Sequence, residues 1–226
     1  MNNTDIFRPA GVIFDMDGLM LDTERPLIPL WTQAGKTLGR EIGPDVVKGA
    51  IGLNGKDMRS MCMRVLGADF PYDKFHEVIG RLIQEELEKG IALKPGLLFL
   101  LDLLVSRGIP YAVATSTSRK GSLFKLEKAG ILDRVPIMVC GDEISRGKPD
   151  PEIFLRAADK LGLPPGEIVG FEDSPAGLLG LHAAGIRSVF IKDVVDPPEE
   201  IRATAWRCYA DLTGTAELFG VWETGD

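Results

Sequence analysis

With 226 residues, the chain is long enough for one large domain or two small ones, and its 45% hydrophobic content allows a sizeable core. Twenty-six Lys and Arg against 33 Asp and Glu give a formal net charge of -7. That balance offers no general footprint for nucleic acid or a membrane surface and favours a small diffusible substrate. Cys62, Cys140 and Cys208 form neither a CxxC pair nor a disulfide framework, so they read as reduced thiols, buried by default, in a cytoplasmic protein.

Residues 1–9 contain no apolar stretch of the kind a signal peptide needs. A first short apolar run at 12–14 predicts a strand. The alternation then stops, and 23–93 is helical in character with no good strand; apolar periodicity recurs at 31–38, 58–66 and 75–87. From 94 onward short apolar runs at 111–114, 137–140, 168–171 and 189–191, with a weaker one at 207–210, alternate with helical patterns. Those helices carry their own boundary signals. One opens at Pro95, with Leu97, Leu100, Leu101 and Leu104 on one face, and stops at Gly108. Asp150 and Pro151 open another that ends at Gly162, and Ser174 and Pro175 a third that ends at Gly185. The predicted fold is α/β, a Rossmann-like parallel sheet formed by 1–22 and 94–226, with an all-α domain inserted at 23–93. The run 97–105, interrupted by Asp102, is too short to span a bilayer.

Open parallel sheets bind ligands at the carboxyl ends of their strands. The first strand leads into Asp15-Met16-Asp17-Gly18, the second into Thr115-Ser116-Thr117-Ser118, and the fourth into Glu172-Asp173-Ser174; the loop after the third carries Gly147-Lys148-Pro149-Asp150. Carboxylates crowded at one edge repel, and a hard divalent cation with oxygen ligands relieves that repulsion. Mg²⁺ takes one or two carboxylates together with waters and a phosphate oxygen, which fits Asp15, Asp173 and the backbone carbonyl of Asp17. Glu172 would hold a metal-bound water or orient its neighbours.

The motifs DMDG at Asp15, the strand-terminal Ser116, Lys148 in GKPDP and the acidic pair of GFEDSPAG resemble, in order, the four motifs of the haloacid dehalogenase superfamily. The resemblance covers the whole predicted core. It implies that Asp15 attacks phosphorus to form an aspartyl phosphate, and that Asp17 protonates the leaving oxygen and later activates water. Ser116, the Thr117 N–H and Lys148 would hold the phosphoryl oxygens, with Mg²⁺ as cofactor. An aspartate at position 17 implies a phosphate ester as substrate, and the helical insertion resembles the cap of the branch containing β-phosphoglucomutase and phosphoglycolate phosphatase. The implied activity is a phosphatase for a small phosphorylated metabolite, such as a sugar phosphate; the alternative is a β-phosphoglucomutase-type mutase. The mutase's cap histidine and arginine align with Leu27 and Gly55, which weakens that alternative, while Lys56 and Arg59 lie near enough in sequence to meet a substrate. Asp22, Thr23 and Glu24 fall at the expected hinge.

Bland readings attach to the remaining residues. Ser118 and Asp150 are read as helix N-caps, His76 and His182 as structural or surface residues, and Trp31 and Phe75 as packing within the helical insertion.

Overall fold

The computed structural model describes residues 7–51 and 55–220; residues 1–6, where the sequence was read as free of a leader, and the side chain of Lys56 lie outside the described residues. Strand β1 (Gly11–Phe14) is followed by helices α1 (Leu27–Thr37), α2 (Pro44–Ala50), α3 (Gly55–Leu66) and α4 (Tyr72–Glu88). The chain then alternates through α5 (Leu97–Ser106), β2 (Tyr111–Thr115), α6 (Arg119–Lys128), β3 (Met138–Cys140), α7 (Glu152–Leu161), β4 (Ile168–Glu172), α8 (Pro175–Ala183), β5 (Arg187–Ile191), α9 (Glu199–Arg202) and β6 (Arg207–Tyr209). The strands form one parallel sheet in the order β3-β2-β1-β4-β5-β6.

Successive strand side chains point to opposite faces, and both faces here are apolar. Val12 and Phe14 of β1, Tyr111 and Val113 of β2, and Val169 and Phe171 of β4 join a cluster with Leu97, Leu100, Leu101 and Leu104 of α5. Ile13, Ala112, Ala114 and Ile168 join a second cluster with Ile153 and Phe154 of α7 and Leu181 of α8. Burial on both sides explains why these strands read as unbroken apolar runs rather than alternating ones. β1 lies between β2 and β4, where the order of connections reverses, so the ends of β1 and β4 flank the crevice that this topology creates.

The helices between 27 and 88 bury a third cluster of their own, including Trp31, Val47, Cys62, Phe75 and Ile79; the rings of Trp31 and Phe75 meet edge to face at 4.9 Å. Their two connections to the sheet run side by side: the Asp22 N–H donates to the Ala92 carbonyl and the Lys94 N–H to the Met20 carbonyl, both at 2.9 Å.

Several expectations need correction. Helix α5 begins at Leu97 rather than Pro95, because Gly96 adopts a left-handed backbone (φ +84°) packed against the backbone of Leu212 and Thr213. Helix α2 had not been anticipated; at seven residues it is too short to display a helical period. Cys208 is exposed, on the edge strand β6, whereas Cys62 and Cys140 are buried; all three are free thiols. His76 and His182 are both exposed, in keeping with their reading as structural or surface residues. Among the described residues no helix is long and apolar enough to cross a membrane.

Candidate active site

The strand ends bring the motifs together as the topology requires. The Asp15 N–H donates to the Phe171 carbonyl at 3.0 Å, extending the β1–β4 ladder by one residue and placing the carboxyl of Asp15 beside the end of β4. Lys148, from the loop after β3, reaches into the same space. Its Nζ contacts Asp15 Oδ1 and lies 2.5 Å from Glu172 Oε1, and all three side chains are at least nine-tenths buried. Burial works against the charge on Lys148, but the two carboxylates outweigh it and hold the ammonium protonated. One lysine cannot fully compensate two carboxylates. Burial, abetted by the charges of Glu172 and Asp17, therefore pushes Asp15 up to about 7 despite Lys148.

Glu172 is fully buried, and its Oε2 accepts from the N–H groups of Asp173 (2.9 Å) and Ser174 (2.8 Å) and from the Ser174 hydroxyl (2.9 Å). Ser174 in turn caps α8 by accepting from the Gly177 N–H at 3.0 Å. A Cβ at position 177 would overlap the Glu172 carboxyl, which accounts for glycine in the GFEDSPAG segment.

Asp17 is held differently. Its Oδ1 accepts from Thr23 Oγ1 at 2.9 Å and Lys125 Nζ at 2.6 Å, and its Oδ2 from Thr117 Oγ1 at 2.7 Å and, weakly, Thr115 Oγ1 at 3.4 Å. Burial raises its pKa, yet the charge of Lys125 and the hydrogen bonds from Lys125, Thr117 and Thr23 leave it below the usual carboxylate range. Ser116 is exposed at the end of β2. The Thr117 N–H, read from the sequence as a phosphate donor, points to Thr115 Oγ1 at 3.1 Å, so a phosphoryl oxygen would have to displace that hydroxyl. Ser118 caps α6 through the Gly121 N–H, and Asp150 Oδ1 accepts from the Glu152 N–H at 3.0 Å. Arg59 pairs with Asp73 and lies over the Tyr72 ring, both in the helical insertion, rather than turning to the sheet edge.

Two acids join the site that the motifs did not single out as ligands. One oxygen each from Glu24, Asp173 and Asp193 lies within 4.8 Å of the others. Asp173 Oδ1, Glu24 Oε2 and Asp193 Oδ2 are buried without a hydrogen-bond partner among the described residues. Burial first, then neighbouring carboxylates led by Asp193, push Glu24 up to about 8; burial and Glu172 hold Asp173 well above its ordinary value. Orphaned buried carboxylate oxygens are rare, because desolvation without compensation is costly. Such an oxygen donor set suits a hard divalent cation, so the residues present fit a metal. Asp193 follows β5 just past a strand end, the same positional signal that marks Asp15 and Asp173. Lys125, within α6, carries no comparable signal.

Residues 12–191 match the haloacid dehalogenase-like hydrolase family. The chain belongs to that family. Relatives include a phosphorylated carbohydrates phosphatase of Thermotoga maritima, 31% identical over 80% of this chain and 83% of its own length. Hexitol phosphatase A of Escherichia coli is 32% identical over 84% of this chain and 87% of its own. A family IA hydrolase of Entamoeba histolytica, 23% identical, superposes with a TM-score of 0.76 over 93% of this chain and 97% of that one, a likeness of fold.

Proposed function

We propose that this hydrolase is a Mg²⁺-dependent phosphatase of small phosphorylated metabolites, sugar phosphates among them, acting through an aspartyl phosphate on Asp15. The observation that carries the reading is the meeting of Asp15, Lys148 and the orphaned oxygen of Asp173 at the ends of β1 and β4. The named activities of the relatives, which concern phosphorylated carbohydrates and hexitol phosphate, point the same way.

Asp15, Asp173 and the backbone carbonyl of Asp17 would hold the cation, which when bound neutralises phosphoryl charge and favours ionised Asp15. Asp15 Oδ then attacks phosphorus as the ester P–O bond breaks, and the leaving oxygen takes a proton from Asp17. A water then attacks the phosphoenzyme and gives its proton to Asp17 while the bond to Asp15 breaks, releasing inorganic phosphate. Lys148 balances the charge on the phosphoryl oxygens throughout, with Ser116 and the Thr117 N–H as further donors. Asp17 is a poor acid while Lys125 and three threonine hydroxyls surround it, so protonation requires its carboxyl to exchange Lys125 for the leaving-group oxygen. Thr23 lies on the connection to the helical insertion, so motion of that insertion would help release Asp17.

We assign 1–22 and 94–226 as the catalytic core and 23–93 as a cap closing over it, consistent with the separate apolar cluster of the helices. Leu27 offers no imidazole to assist a bound sugar phosphate, which favours hydrolysis over the mutase alternative. The free thiols and the metabolite class support a cytoplasmic location. A phosphate-release screen over phosphorylated metabolites is the test: release with Mg²⁺, abolition by EDTA and restoration by Mg²⁺ are expected. Full activity in chelator would refute the metal assignment.

A further inference from the structure

The loop after β5 belongs to none of the four motifs, yet it delivers Asp193 to the acidic group around Asp173. The Asp193 side chain is 1% exposed. Its Oδ1 accepts from Lys94 Nζ at 2.5 Å and lies 3.2 Å from Arg25 Nε, so both nearby cations meet the same oxygen. Oδ2 has no hydrogen-bond partner among the described residues. Glu24, on the first connection to the helical insertion, leaves Oε2 in the same condition, and Asp173, 4% exposed, leaves Oδ1. Three carboxylates from three separate segments thus gather with one oxygen of each within 4.8 Å of the other two, and each carries an unpartnered buried oxygen.

Oxygens gathered that closely can share one hydrated cation. Two oxygens on opposite sides of one Mg²⁺ stand about 4.2 Å apart, and on opposite sides of one Ca²⁺ about 5 Å. Carboxyls crowded in a low-dielectric site ionise together only when a cation offsets their charge. Lys94 and Arg25 do not perform that task, since neither meets Asp193 Oδ2, Glu24 Oε2 or Asp173 Oδ1.

We propose that Glu24 and Asp193 complete the site of the divalent cation seated on Asp173 by holding the waters that Mg²⁺ keeps. The cation would then tie the end of β4 to the loop after β5 and to the connection that enters the helical insertion. This rests on the cation of the proposed reaction and adds two residues to its site. Because Lys94 and Arg25, one from each connection, bind the other oxygen of Asp193, the same aspartate would join the cation to both connections.

The test is Mg²⁺ binding by calorimetry on the full chain without substrate. Glu24→Gln and Asp193→Asn keep the shape of each side chain, and the amide oxygen that Asp193→Asn retains can still accept from Lys94, so unfolding is not the expected outcome; circular dichroism without Mg²⁺ checks this. Each substitution is expected to weaken Mg²⁺ binding about 10- to 100-fold, at one site per chain. Wild-type affinity in folded Glu24→Gln, or a second Mg²⁺ site that the two substitutions remove while the first persists, would overturn the proposal. If the wild-type chain neither binds Mg²⁺ nor releases phosphate, the phosphatase reading itself fails; if it does both and Glu24→Gln binds normally, only the enlarged site fails.

Discussion

Two groups of carboxylates stand at the same sheet edge and are handled in opposite ways. Around Asp15, Glu172 and Asp17 the chain supplies its own cations, Lys148 to the first two and Lys125 to the third, and hydroxyl and N–H donors occupy most of the remaining oxygens. Around Glu24, Asp173 and Asp193 it leaves one oxygen of each unpartnered. The first group carries lysines of its own and is arranged to hold and move charge during a reaction. The second is stable in ionised form only with something added.

Removing Lys148 makes the first group resemble the second, and this should have the largest effect. Lys148→Met leaves Asp15 and Glu172 buried without a cation, a change that costs about 3–5 kcal/mol in urea unfolding and removes a phosphate ligand, so turnover should vanish as well. A stable, active Lys148→Met would show that Lys148 is not the charge balance of the pair.

Asp17→Asn sharpens the comparison from the catalytic side. Loss of general acid–base catalysis is worth roughly 10²–10⁴-fold, and it should be felt most by esters with poor leaving groups such as sugar alkoxides. p-Nitrophenyl phosphate, whose leaving group hardly needs a proton, should suffer less in the first half-reaction. Equal loss on both substrates, with no accumulation of phosphoenzyme, would contradict the acid role.

The smallest effect concerns pH and draws on one raised carboxyl from each group. Asp15 at about 7 and Glu24 at about 8 lie above their ordinary values of 3.8 and 4.5, so between these limits the folded protein binds more protons than the unfolded chain. Their contribution to stability is therefore fully present below about pH 4 and is lost as pH rises through about 8. Mg²⁺ replaces the missing protons, so its stabilisation should be larger near pH 8.5 than near pH 5.5. Thermal unfolding at both pH values, with and without Mg²⁺, measures the difference, and a Mg²⁺ shift independent of pH would count against cation binding at these carboxylates.

Much of this arrangement was legible in the sequence because it depends on local signals. Apolar runs fixed the strands, caps and breakers fixed α7 and α8, and the rule that ligands gather at strand ends selected Asp15, Ser116, Glu172 and Asp173. What escaped were partnerships across the chain. Lys125 reaches Asp17 from 108 residues away and Lys94 reaches Asp193 from 99 away, and no periodicity announces either contact. The neighbours of Glu24 in sequence mark it as a hinge residue; only the approach of the loop after β5 shows that it stands beside Asp173 and Asp193. Helix α2 escaped because seven residues with Pro44 first and Gly49 near the end resemble a loop more than a helix.

Phosphorylation of Asp15 is the step on which the proposed chemistry depends. Acid quench in the first turnovers with a Mg²⁺-loaded enzyme and a phosphate ester, followed by peptide mass analysis, should find a hydroxylamine-labile phosphoryl group on the peptide carrying Asp15, and none in Asp15→Asn. A phosphoryl group on a different residue, or phosphate release by Asp15→Asn at the wild-type rate, would contradict it.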